Sequence, residues 1–263
     1  MFDWVTAQTW KQSPAQHVKG IRYCDNDDWI EVGDSCVIDP TVMFETGVIL
    51  GQVCCLEEHV HLYRNVQLAQ AVKIGKHSTL YACVYIGDNS QLGTYVTLYQ
   101  DVKLGYKVKL GDGVVIQIGA VLNDFVYLDA DVDISAYVQL DIGVTVYSHS
   151  CVRERAVLGQ RVIVHVMSCV EKYAKLGDNV VIGPGCRVSG HHEVTPFYYM
   201  PQGGDWPIYV SDAKTQMVGI GCEVHKIDWW LDSGADIVRG KHQVEDTADI
   251  YDPALQFVAG LLK

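Results

Sequence analysis

The chain has no run of eighteen apolar residues, so a membrane-spanning helix is not expected. Its first residues, MFDWVTAQTW, carry neither the basic nor the apolar stretch of a secretion signal. Basic charge is scarce: 20 Lys and Arg stand against 32 Asp and Glu, a net charge of −12. Phosphate is repelled by such a surface, so neither a nucleic acid polymer nor a membrane is the expected partner, and the expected location is cytoplasmic. No CxxC pair occurs, which argues against a thiolate zinc site; neither a metal nor a cofactor is expected. Nine cysteines fit no closed disulfide framework.

What the sequence does have is a period. From Glu31 to His192 it divides into 27 consecutive six-residue units without insertion or deletion, from EVGDSC and VIDPTV to VIGPGC and RVSGHH. The second place is Ile, Leu or Val from Val32 to Val188 except at Phe44, and the sixth is Val, Ser, Ala or Cys until His192. Places six, one and two alternate in, out, in, as a short strand requires, while places three to five carry turn residues such as Gly87-Asp88-Asn89. Short strand, corner, short strand, corner is the signature of a solenoid.

This repeat resembles the hexapeptide repeat of left-handed β-helix proteins. The resemblance covers about 60% of the chain and implies an all-β solenoid: a left-handed parallel β-helix with three units per coil, hence nine coils. At about 4.8 Å per coil the prism would be roughly 40 Å long. Residues 1–30, with Trp4, Trp10 and Trp29, are expected to cap the first coil, since a solenoid end exposes strand edges and apolar interior. Residues 193–263 read as a C-terminal extension: a Pro- and Gly-containing loop with the strand-like runs PIYV and QMVGIGCEV, then two helices. The first helix would have Asp228 as N-cap, and the second Asp252 with Pro253 in its first turn and an apolar, buried body.

Stacking by eighteen residues sorts the outward positions into three faces. One face never has Gly at place three, and its ladder reads Glu45, Tyr63, Tyr81, Tyr99, Gln117, Ser135, Arg153, Glu171, Ser189. Tyrosines on consecutive coils are suited to an interface or a groove wall, or else to stacking on one another. Beside them lie His59, His77 and Tyr95 at place five, with His61 and Arg64 flanking. A second group, His149, His165, Arg153 and Arg155, suggests an anion site, against which stand salt bridges to Glu154 or Glu171. His225 reads as a packing residue. Cys151 and Cys169 stack at a separation that could accept a disulfide, and the compartment favours reduced thiols.

The resemblance implies a homotrimer with ligand sites between neighbouring prisms. The main functional reading is a trimer that binds a small molecule, nucleotide-like, in a Tyr- and His-lined groove, without catalysis, as a sequestering protein would. Its ligand-binding residues are Tyr63, Tyr81, Tyr99, Arg64, His59, His61, His77, Arg153 and Arg155. The alternative is a hexapeptide acyltransferase using acyl-CoA, in which a His general base activates a hydroxyl or amine. Candidates for that base are His59, His61 and His77, with His149 and His165 also available. A structural scaffold is the third reading. The γ-class carbonic anhydrases place two ligand histidines five apart, and no two histidines here have that spacing.

Overall fold

The structure is a computed structural model describing residues 17–18, 22–25, 28–188, 193–194, 197–199, 208–212, 216–220, 223–234, 255–256 and 258–260. Short parallel strands recur every six residues, and each pairs with the strand eighteen residues away: Thr79 lies opposite His61 and Thr97, and Ile74 opposite Leu56 and Leu92. Three sheets result, one per face of a prism. The first face includes Val48–Leu50 and Gln67–Leu68, the second Cys36–Ile38 and Cys55–Leu56, and the third runs in nine strands from Met43–Phe44 to Arg187–Val188. The expectation of a left-handed parallel β-helix of about nine coils holds.

The interior follows from the repeat. Place-two aliphatics such as Leu62, Leu80 and Ile116 and place-six valines such as Val60 and Val96 form one continuous buried core. Four place-six positions are Ser78, Ser90, Ser150 and Ser168, all buried. Each hydroxyl is satisfied twice. Ser78 Oγ donates to the Gly93 carbonyl and accepts from the Val96 N–H, and Ser90 does the same with Gly105 and Val108. Cys36 and Cys54 Sγ make the corresponding donation to the Gly51 and Ala69 carbonyls. A polar atom that meets both of its bonds costs the core little.

Corners are built at place five. Every described place-five residue from Ser35 to Gly185 except Thr41 has a left-handed backbone, with φ between 53 and 77°. Glycine occupies five of these corners, so the others carry a steric cost of about 1–2 kcal/mol each. The fold offsets it by satisfying the corner: His77 N donates to the Glu58 carbonyl of the preceding coil and Tyr95 N to that of Lys76, both at 2.9 Å. Some glycines at place three are required by contact instead. Asp124 Oδ1 accepts from Tyr106 N at 2.8 Å, and a Cβ on Gly105 would lie 2.5 Å from that oxygen.

At the ends the structure adds to the sequence reading. Arg22–Asp25 pairs antiparallel with Asp28–Val32, and His17–Val18 with Cys36–Ile38, against the first coil. Trp4 and Trp10 lie outside the described residues. Beyond the six-residue period the parallel pairing continues: Glu193 lies opposite Lys175, and Phe197 opposite Val181 in a changed register. Ile208–Asp212, Met217–Ile220 and Glu223–Lys226 then extend the second sheet antiparallel. The first helix is Ile227–Trp229, continued as a wider turn over Trp230–Gly234. Asp228 is inside it; the N-cap is Lys226, which makes no side-chain cap bond. Asp252 and Pro253 lie outside the described residues, while Leu255 and Val258 are helical and pack with Ile208, Val218, Ile220, Ile227 and Trp230. Among the described residues no helix is long and apolar enough to cross a membrane.

The expectation of reduced thiols at Cys151 and Cys169 is corrected: the two are disulfide-bonded. They are opposed ladder partners on adjacent coils with Cα atoms 4.7 Å apart, so the sheet register alone brings their side chains together.

Candidate functional site

On the third face, Tyr63, Tyr81 and Tyr99 stack with ring centroids 4.7 and 5.0 Å apart and nearly parallel planes. His61 lies flat on Tyr63 at 4.1 Å. Each ring face inside this column is therefore covered by its neighbour, and the column offers ring edges and hydroxyls to its surroundings. A planar ligand cannot insert between the tyrosines without separating coils. Arg64 is engaged with Glu45: Nε lies 3.7 Å from Oε2, which also accepts from the Arg64 N–H at 3.3 Å.

The corner between the second and third faces carries a parallel column. His59 N donates to Thr41 Oγ1 at 2.7 Å, His59 stacks on His77 at 4.9 Å, and His77 on Tyr95 at 5.0 Å. Stacking stops at Tyr95, which is 62% exposed, because the next corner is Gly113. Below it the column reads Asp131, then His149. The Asp131 carboxylate rises toward the space a side chain at residue 113 would take: a Cβ there would lie 2.5 Å from Oδ1. Its other oxygen, Oδ2, is 3.6 Å from His149 Nδ1. A side chain at residue 113 would push that oxygen aside.

His149 has a carboxylate, that of Asp131, in ion-pair range. A carboxylate that bonded Nδ1 would select the tautomer in which Nε2 is the acceptor, the orientation a general base requires. The first candidates from the sequence, His59, His61 and His77, have aromatic ring neighbours. The signal for His149 was present at place five, three coils below Tyr95, and becomes legible when the whole corner column is followed downward.

The second group does not form one site. Its members take four different places around the prism: His165 on the second face, His149 on the corner, Arg153 on the third face and Arg155 on the corner beyond it. Tyr147 and His165 stack at 5.3 Å, and burial pushes the His165 imidazole below its usual pKa. Arg155 sits between the rings of Tyr137 and Tyr173, bonds the Tyr173 hydroxyl at 3.3 Å and lies 3.6 Å from Glu154. Glu171 is paired with Arg187 at 3.0 Å. His225 packs flat on Trp229 at 3.7 Å. No cluster of three His, Cys, Asp or Glu side chains able to hold a metal occurs among the described residues.

No protein-family model matches the chain, and no curated protein matches it. Among solved structures it is similar to the acetyltransferase domain of PglB from Neisseria gonorrhoeae at 14% identity and a TM-score of 0.36, covering 43% of this chain and 55% of that one. The chain thus spans little more than half of that domain's length. It is also similar to the UDP-N-acetylglucosamine acyltransferase from Campylobacter jejuni at 16% identity and a TM-score of 0.45, with 62% and 70% covered. A third is a mutant of perosamine N-acetyltransferase from Caulobacter crescentus, in complex with CoA and GDP-perosamine: 15% identity, TM-score 0.25, with 58% and 51% covered. These likenesses carry no residue correspondence; the architecture rests on the coil register, by which the chain is a parallel β-helix built on a six-residue repeat.

Proposed function

We propose that the protein is an acyltransferase that moves an acyl group from a thioester of the coenzyme A type to a hydroxyl or amine, with His149 as general base and Asp131 as its positioning residue. The observation that carries this reading is the Asp131–His149 pair below the Gly113 gap. Nε2 of His149 takes the proton from the acceptor as its oxygen or nitrogen attacks the thioester carbonyl. The tetrahedral intermediate then collapses, and the expelled thiolate receives that proton from the imidazolium. A carboxylate at 3.6 Å is long for a hydrogen bond, and such contacts commonly tighten once substrate is bound. Both partners are more than half exposed in the single chain, so a neighbouring prism in a homotrimer would supply the opposite wall and exclude water.

The test is a panel of acyl-CoA donors with amino and hydroxyl sugars as acceptors, using the full chain and its variants. His149→Ala is expected to lower turnover by about 10²–10⁴-fold while donor affinity changes little. Asp131→Asn should lower it less. Full turnover in His149→Ala overturns the assignment.

A second reading, the small-molecule binder, is favoured by the end of the stacked column. Tyr95 presents an outer ring face above Gly113, and a nucleotide-like base stacked there would sit beside Asp131. Binding of a nucleotide lost in Tyr95→Ala, with no transfer to any acceptor, would favour this reading over catalysis.

A further inference from the structure

Place one of the third face reads Val115, Asp133, Cys151, Cys169, Arg187 on five consecutive coils, each the ladder partner of the next. Asp133 Oδ1 is the one buried side-chain oxygen or nitrogen without a hydrogen-bond partner among the described residues. Leaving a buried acceptor unmet is costly, the more so if it is charged. Its ladder neighbour is Cys151, whose sulfur has no hydrogen to give while it is bonded to Cys169. On reduction Cys151 gains an S–H next to that carboxylate. The oxidised rung leaves that oxygen unmet, and a dithiol would offer it a donor on the adjacent coil.

The backbone does not depend on the bond. Cys151 N donates to the Ser168 carbonyl at 2.9 Å and Cys169 N to that of Cys186 at 2.8 Å, the same ladder found in coils with no cysteine at this place. Reduction therefore leaves the two sulfurs facing each other, and reoxidation needs no rearrangement. The surroundings are also asymmetric. Asp133 lies on the Cys151 side. On the other side Arg187 follows Cys169 in the ladder, with Glu171 Oε1 3.9 Å from the sulfur but neutralised by Arg187 at 3.0 Å.

We propose that Cys151 and Cys169 form a reversible dithiol–disulfide site on the third face, oxidised by low-molecular-weight disulfides and biased toward the dithiol by Asp133. Cys169 loses its proton to solvent and attacks one sulfur of the small disulfide, forming a mixed disulfide and expelling one thiolate, which takes up a proton. Cys151 then loses its proton and attacks the Cys169 sulfur, closing the rung and releasing the second small thiol. Two protein thiols are oxidised, one disulfide is reduced to two thiols, and two electrons move. The site stands independently of the acyltransferase reading, since neither Asp131 nor His149 takes part in the exchange.

The full chain is equilibrated in buffers of varied reduced-to-oxidised glutathione ratio, quenched by alkylation, and Cys151 and Cys169 are mapped by mass spectrometry. The wild type should pass from alkylated to bonded within that series, with unchanged circular dichroism at both ends. Asp133→Thr, which places at this rung the residue found at Thr79 and Thr97, should remain bonded at about tenfold more reducing ratios. Asp133→Ser is a second variant should the first not fold. Cys151→Ser should trap a glutathione adduct on Cys169. The proposal falls if the folded wild type alkylates fully at both cysteines in oxidised glutathione, if the bond survives excess reduced glutathione, or if neither Asp133 variant moves the midpoint.

Discussion

The upper and lower coils share one backbone and differ in what their columns carry. In coils two to four the outward columns repeat like residues: Tyr on Tyr, and His on His followed by Tyr. In coils five to eight they mostly change: Gly113, Asp131, His149 on the corner, and Asp133 followed by the Cys151–Cys169 pair on the third face. Repetition lets neighbours consume one another's interaction surface, which stabilises adjacent coils and leaves little for a ligand. Unlike neighbours leave unmet capacity: an imidazole nitrogen, a carboxylate oxygen, a sulfur pair. The conspicuous aromatic ladder is therefore read as structural, and the chemistry is assigned where the pattern breaks.

The most severe way to break the comparison is to remove what both halves share. Leu110 is 5% exposed in the common core, and Leu110→Asp should unfold the chain, because an unpaired buried carboxylate costs several kcal/mol. Circular dichroism would show this; a folded Leu110→Asp protein would contradict the core assignment. Next in size is the functional contrast. His149→Ala should reduce transfer by about 10²–10⁴-fold, whereas Tyr81→Ala should leave it within a few-fold of wild type. The reverse ranking would return the site to the tyrosine face. Gly113→Ala sharpens the same point: its Cβ displaces the Asp131 carboxylate, so activity should fall about tenfold or more in a folded protein.

Stability should follow the opposite ranking. Tyr81 stacks on both sides, so Tyr81→Ala should cost about 1–3 kcal/mol in denaturant unfolding, with His149→Ala costing little. The smallest effect concerns pH. Burial depresses the His165 pKa in the folded chain, so the unfolded chain binds the proton more readily. Folding stability is complete above the ordinary His range and declines as pH falls through about 6.5. His165→Gln should flatten that decline. Light scattering should give about three times the 29.2 kDa chain mass, as the proposed trimer requires.

Much of the fold was legible because its determinant is local and repeated. A place-two aliphatic such as Leu80 and a place-six valine such as Val84 need only the neighbouring coil to be buried, so their spacing reveals the coil. The unmatched register at Phe197 and the true start of the helix at Ile227 were not legible, since packing of non-repeating residues sets them. For the site, the columns themselves could be read, but not which members use each other up. His61 and Arg64 looked available in the sequence and proved to be occupied by Tyr63 and Glu45.

By itself, then, the sequence determined the coil, its three faces and the identity of every column, because an uninterrupted six-residue period fixes which residues lie eighteen apart. Only the tertiary structure decided how neighbours in a column meet: that tyrosine faces cover one another, that Asp131 turns one oxygen toward Gly113 and the other toward His149, and that Cys151 and Cys169 bond beside an unmet Asp133. The physical reason is that register sets which side chains are adjacent, while rotamer and hydrogen-bond partner settle what each one has left to offer.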